Sequence, residues 1–227
     1  MQVKLIAYTP EPERVVAAAA RLCYSKIGAM DILEGLTDDR VGELIDTLLT
    51  SGHLSPTEHA TFVFAIEGVS RALSHQCMRH RIASYSQQSQ RWVDESNFDY
   101  IVPASIRESA QAFEIFVGAM ESLRDAYRKL MALVPREDAR YVLPNACETK
   151  FVMSMNCRSL YNFFEKRLCT RAQWEIREMA AIMLEEVRKV APRLFAKAGP
   201  PCETRGICPE GKFSCGRIAS RAPANNT

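Results

Sequence analysis

The chain opens on a short run of strand character, residues 2–8, reading Gln-Val-Lys-Leu-Ile-Ala-Tyr. Between residues 12 and 24 the period becomes helical, with Val15, Ala18, Ala19 and Leu22 at steps of three and four. Thr37 stands where an N-cap belongs, ahead of a second helix carrying Val41, Leu44, Ile45 and Leu48. Residues 59–67 place Thr61, Val63 and Ala65 on one parity and Phe62, Phe64 and Ile66 on the other, which predicts a well-buried strand followed by a short helix. A further strand is expected at residues 98–102. Beyond it Phe113, Phe116, Met120, Leu123, Tyr127, Leu130 and Val134 mark one long amphipathic helix, ended by Pro135, whose stripe is expected to pack on its own domain. A short helix at 136–141, a strand at 150–155 and helices at 159–168 and 172–190 complete the pattern. Few strands, separated by helices of unequal length and without repeats, predict an α+β fold with a mixed or antiparallel sheet flanked by helices.

Composition narrows this. The chain has 227 residues, 47% of them hydrophobic, enough for one substantial globular domain in one or two lobes. Residues 1–196 are expected to form that domain and 197–227 a Cys/Gly/Pro-containing tail, disordered beyond Arg217. A net charge of +2 lacks the broad positive field of a protein whose main task is to hold a nucleic-acid backbone. No apolar run reaches the roughly 18 residues that span a bilayer, and no leader pattern opens the chain, so a soluble, cytoplasmic protein with no membrane partner is expected. Of eight cysteines, Cys23, Cys77, Cys147, Cys157 and Cys169 are scattered as small core residues would be, and no disulfide framework is expected. None of the ten glycines forms the dinucleotide fingerprint G-x-G-x-x-G. Residues 206–212 have phosphate-loop spacing but lead into Phe213, where a Ser or Thr should help to hold magnesium.

The segment from Arg79 to Arg91 reads RHRIASYSQQSQR: three arginines, a histidine, three serines and three glutamines in thirteen positions. Guanidinium forks grip phosphate or carboxylate in two places, while hydroxyls and amides complete an oxygen shell. In isolation such a stretch is an ordinary solvated face. Its order is more specific. It resembles the RHR-x7-S-x-R signature of the flavin-dependent thymidylate synthases, with Arg79, His80, Arg81, Ser89 and Arg91 at the fixed positions. Three other segments are similar to that family: His53-Leu54-Ser55-Pro56-Thr57-Glu58-His59, then Ala139-Arg140-Tyr141-Val142-Leu143-Pro144, then Asn156 to Arg167 followed by Ala172-Gln173-Trp174-Glu175-Ile176. The likeness runs from about residue 2 to about residue 190.

The resemblance implies FAD held by Ser55, Arg79, His80, Arg81, Gln87, Asn156, Arg158 and Asn162, with His53 near its ring. It implies deoxyuridine monophosphate (dUMP) at Gln76, Cys77, Met78, Arg79, Gln87, Gln88, Ser89, Gln90, Arg91, Arg140 and Arg167, in a homotetramer whose sites are shared between subunits. The reaction implied makes thymidylate, with 5,10-methylenetetrahydrofolate as carbon donor and NADPH to reduce the flavin. Arg167 is the candidate catalytic residue, a permanent cation that favours N3 deprotonation and stabilises negative charge on the uracil ring. Two positions depart from the family pattern: Gln87, where many relatives have glutamate, and Arg171, where histidine is common.

A cysteine nucleophile is disfavoured, because Cys77, Cys157 and Cys169 lie in apolar contexts suited to unreactive thiols, and Ser89 has no partnered base. His53 and His59 lack the helical spacing of a zinc pair. In the tail, Cys202, Cys208 and Cys215 could offer three thiolates to a metal, but without a tight C-x2-C pair or a fourth ligand, and no metal is assigned. A nucleic-acid-binding module, with Arg79, Arg81 and Arg91 on a backbone and Tyr85 or Trp92 stacked on bases, is the alternative from another class; no nucleic-acid partner is expected.

Overall fold

The computed structural model describes residues 1–218. From residue 219 on, the segment expected to be disordered lies outside the described residues. In chain order the elements are β1 (Gln2–Tyr8), α1 (Pro12–Leu22), α2 (Ala29–Gly35), α3 (Asp38–Ser51), a 3-10 turn (Ser55–His59), β2 (Thr61–Ser70), α4 (Arg71–Cys77), β3 (Ser84–Gln87), α5 (Ala104–Arg107), α6 (Ala110–Met131), α7 (Arg136–Ala139), β4 (Glu148–Asn156), α8 (Cys157–Arg167), α9 (Trp174–Val190) and α10 (Pro201–Thr204). The strands form one open antiparallel sheet in the order β1-β2-β4-β3, so the fold is α+β.

Local chemistry sets the helix starts. Thr37 accepts from the Arg40 N–H to cap α3, Ser70 accepts from Leu73 to cap α4, and Asn156 accepts from Ser159 to cap α8. Gly52 ends α3 with φ of 73°, a left-handed conformation that glycine adopts without a Cβ clash.

The chain divides into two compact units, one of residues 1–2, 65–79 and 85–152, the other of residues 3–64, 80–84 and 153 onward. In the first, α6 turns Met120 and Tyr127 inward, and Phe98, Met120 and Cys147 form a core flanked by Tyr100, Phe116 and Leu123. α6 ends at Met131, one turn short of the stop expected at Pro135; the stripe packs at its middle, whereas Phe113 near its start and Val134 beyond its end are exposed. Residues 98–102 are not a strand. They make a single bridge, Tyr100 with Cys147; Pro103, which has no N–H to continue a ladder, follows at once and α5 begins.

In the second unit Phe195 is the hub of an aromatic cluster, 5.2 Å from Phe62, 6.0 Å from Phe164 and stacked on Tyr161 at 5.9 Å. Around it Val16, Ala17, Ile45, Met179, Met183 and Val187 are fully buried. β2 is buried on one face rather than two: Phe62, Phe64 and Ile66 are covered, while Thr61 is exposed and Val63 and Ala65 are half-buried. β-branched residues on the open face favour the pleat without needing full burial. Cys23 is also not a core residue; it lies beyond the end of α1 and is exposed. All eight cysteines are free.

Phe195→Ala should remove the hub of three aromatic contacts and lower stability by about 3–5 kcal/mol. Chemical denaturation followed by far-ultraviolet circular dichroism measures it, and a loss below about 1 kcal/mol would show the cluster to be peripheral.

Candidate functional site

In the first unit, the second half of the Arg79–Arg91 segment becomes edge strand β3 and the turn after it. The sequence pattern had shown no strand there, because polar residues occupy both faces. Backbone pairing supplies the order instead: the Gln88 N–H donates to the Lys150 carbonyl at 3.0 Å, and the Arg71 guanidinium donates to the Gln88 carbonyl at 2.7 Å. The Tyr85 hydroxyl donates to the Cys77 carbonyl, and Gln90 Nε2 stands 3.7 Å from Cys147 Sγ. Ser89 accepts from the Arg91 N–H through its hydroxyl at 3.2 Å. Gln87 Nε2 reaches Ser74 Oγ at 2.9 Å and Thr149 Oγ1 at 3.0 Å.

Two cations distant in sequence meet at α7. Arg91 pairs with the Glu137 carboxylate at 2.7 Å, and Arg140 Nε donates to the Glu137 carbonyl at 3.1 Å. Arg91 also lies over the Trp92 ring. Behind this surface, burial lowers the pKa of Arg71 and raises that of Glu95, each partly offset by the charge of the other. On α4, Gln76 donates to the Ala72 carbonyl and Cys77 is buried; Met78 is half-buried and Arg79 exposed just beyond the helix.

In the second unit, Arg167 at the end of α8 donates through Nε to His80 Nε2 at 2.9 Å. His80 is packed edge-on against Phe163 at 4.8 Å. Burial, then the charges of Arg167 and Lys166, push its pKa down to about 4. The imidazole is thus neutral near pH 7 and can accept from a guanidinium. Arg81 is exposed beside it.

Arg158 and Asn162 project from α8 into a cavity of about 630 Å³ that Leu54, Tyr161 and Lys197 also line. Arg158 pairs with Glu58 at 2.5 Å, so one end of the 3-10 turn is tied to α8. Ser55 and His53 flank Leu54 and are exposed. Asn156 spends its side-chain oxygen on the helix cap at 2.9 Å, leaving its amide N–H groups for a ligand. A cationic arginine and lysine with a neutral amide suit a phosphate-bearing, planar cofactor such as a flavin dinucleotide.

A second cavity of about 570 Å³ is lined by Arg167 and Arg171 and by Cys169, Cys202, Cys208 and Cys215. Among the described residues no group of three or more His, Cys, Asp or Glu side chains is placed to hold a metal ion. Arg171 is exposed and lies over the Phe213 ring. No helix among the described residues is long and apolar enough to cross a membrane.

The chain as a whole is similar to known proteins. The family model described as thymidylate synthase complementing protein matches residues 4–193. A flavin-dependent thymidylate synthase of Clostridium tetani is 50% identical over 236 residues, covering 96% of this chain and 94% of the relative. The enzyme of that name from Geobacter sulfurreducens is 50% identical over 222 residues, covering 96% and 95%, and that from Pyrococcus furiosus 42% identical over 219 residues, covering 92% and 90%. The chain belongs to the flavin-dependent thymidylate synthase family. Within that family's signature segments, the structure brings together Arg91 with Arg140, His80 with Arg167, and Arg158 with Asn162. Ser74, Thr149, Arg71 and Glu137 were missed by sequence reasoning; they are single residues of α4, β4 and α7, and only the folded chain brings them to Gln87, Gln88 and Arg91.

Because the folded pKa of His80 lies below its ordinary 6.5, the unfolded chain takes up the proton first as pH falls. The stability that this site contributes is full above about pH 6.5 and is lost progressively toward about pH 4. His80→Gln should flatten the stability profile across that window in denaturant titrations at stepped pH. An unchanged slope would mean that His80 is not held neutral.

Proposed function

We propose that the chain converts dUMP to dTMP by reductive methylation, as an FAD-dependent methyltransferase that takes its carbon from 5,10-methylenetetrahydrofolate. When bound, the flavin, reduced by NADPH, supplies the hydride. The observation that carries the reading is the Arg167 guanidinium held at 2.9 Å on a neutral His80. Family membership supports the substrate, since the relatives are named for thymidylate synthesis with a flavin.

The chain's own residues then have distinct tasks. Arg91 and Arg140 bind the nucleotide phosphate, with Gln76, Cys77, Met78, Arg79, Gln88, Ser89 and Gln90 around the rest of the nucleotide. Arg167 is the catalytic residue: a fixed positive charge beside the uracil, polarising the ring while His80 keeps the guanidinium from rotating. Arg79, His80, Arg81, Arg158, Asn156, Asn162, Ser55 and His53 hold the flavin, and Gln87 lies where it meets both flavin and nucleotide. No enzymic cysteine attacks the pyrimidine. In support, burial pushes the Cys147 and Cys157 thiols up to about 12, far from the thiolate form that such an attack needs. Residues 1–196 are the working domain, 197–227 a tail, and the protein acts in the cytoplasm as a homotetramer with shared sites. It has no nucleic-acid or membrane partner.

Arg167→Ala should lower turnover by about 100- to 1000-fold, the range for removing one preorganised charge from a reacting centre. Tritium release from labelled dUMP measures it, and full turnover with unchanged dUMP binding would exclude the role. Arg91→Ala should chiefly weaken dUMP binding, whereas Arg79→Ala and Arg81→Ala should also lower flavin content, read as absorbance per chain near roughly 450 nm. A colourless protein that shifts oligonucleotides and ignores dUMP would instead support the nucleic-acid alternative.

A further inference from the structure

Gln87 ends β3, and its amide is fixed in direction by a chain of committed protons. Ser74, fully buried on α4, donates its hydroxyl to the Arg71 carbonyl at 3.0 Å. A carbonyl oxygen only accepts, so that proton is engaged and Ser74 Oγ can meet Gln87 only as an acceptor. Gln87 must therefore turn its NH2 group, not its oxygen, toward Ser74. The same nitrogen lies 2.9 Å from Ser74 Oγ and 3.0 Å from Thr149 Oγ1, which engages both N–H groups. Thr149 is 1% exposed, so these hydroxyls have little water to turn to.

We infer that Gln87 is a specificity-determining residue that offers the bound nucleotide a single group, the acceptor Oε1, and that Ser74 and Thr149 are positioning residues that impose this polarity. The inference rests on the reading of this segment as the nucleotide site. The ligand group that Oε1 takes is a donor, either a pyrimidine N–H or a sugar O–H. Glutamate in place of Gln87 would keep an acceptor toward the ligand but would bring no proton to Ser74, so the Ser74 hydroxyl would have to leave the Arg71 carbonyl. Methionine, of similar length, would keep neither function.

Equilibrium binding of dUMP to the FAD-loaded protein at pH 8 tests this, with wild type, Gln87→Met, Gln87→Glu, Thr149→Val and Thr149→Ser. Two further probes are 3-methyl-dUMP, which lacks the ring N–H, and 2′,3′-dideoxyuridine monophosphate, which lacks the sugar hydroxyl. Gln87→Met should bind dUMP about 10-fold more weakly than wild type, the usual worth of one neutral hydrogen bond, and Gln87→Glu should bind tighter than Gln87→Met. The methionine penalty should vanish with whichever probe lacks the partnering donor, which identifies it. Thr149→Val removes one of the two anchors of the Gln87 amide, so its position loosens about the Ser74 contact; it should raise KM for dUMP more than it lowers kcat, and Thr149→Ser should restore KM. Gln87→Glu binding no better than Gln87→Met, or Thr149→Val indistinguishable from wild type, overturns the inference alone. Wild type that loads FAD but binds no dUMP overturns the nucleotide-site reading as well.

Discussion

Strand β4 is the constraint on which both candidate clusters depend. It lies between β2 and β3, so it has a partner strand on each side. Its side chains alternate strictly, with Thr149, Phe151, Met153 and Met155 buried and Lys150 and Val152 exposed. A slip of one residue would expose that whole set, so the apolar members fix the register strongly. The register places two polar groups at defined points: Thr149 inside, opposite Gln87, and Asn156 at the strand's end, where it caps α8. Helix α8 then carries Arg158, Asn162 and Arg167 at spacings set by its own turn.

Polar residues buried in this way are costly unless their hydrogen bonds are complete. Thr149, Ser74 and Gln87 satisfy one another, and Arg71 is partly satisfied by the Gln88 carbonyl although its Nε has no partner among the described residues. Such a network trades stability for a defined direction of each donor and acceptor, which a purely apolar wall could not supply.

Much of the fold was legible in the sequence because its helices are periodic and their caps conventional. Thr37, and the stripe from Phe113 to Leu130, were enough to place α3 and α6. The failures have physical causes. β3 escaped because an edge strand lined with Ser and Gln has no apolar period; its order comes from backbone bonds to residues far along the chain. Residues 98–102 misled because Phe98 is buried and Tyr100 half-buried by packing on α6 rather than by joining a ladder. For the candidate site, the signature order singled out a set of arginines, but not what each one touches. Glu137 and Thr149 are common residues in common elements, and nothing in their local sequence distinguishes them from neighbours facing solvent.

The pairing of Arg91 and Arg140 on Glu137 has a kinetic and entropic meaning. Two long side chains free in solvent would each lose rotamer freedom, about 1.5–2 kcal/mol apiece, when an anion ordered them. Here a four-residue turn has already confined both during folding. Under the proposed nucleotide role, an incoming phosphate would meet a receptor already narrowed in conformation, and what it would have to overcome is an exchange of carboxylate for phosphate on Arg91. That exchange involves groups about half exposed, where such pairs are weak. In the proposed reading α7, a helix of only four residues, is a mould for the anion, limiting the cations' alternatives while binding them loosely enough to be displaced.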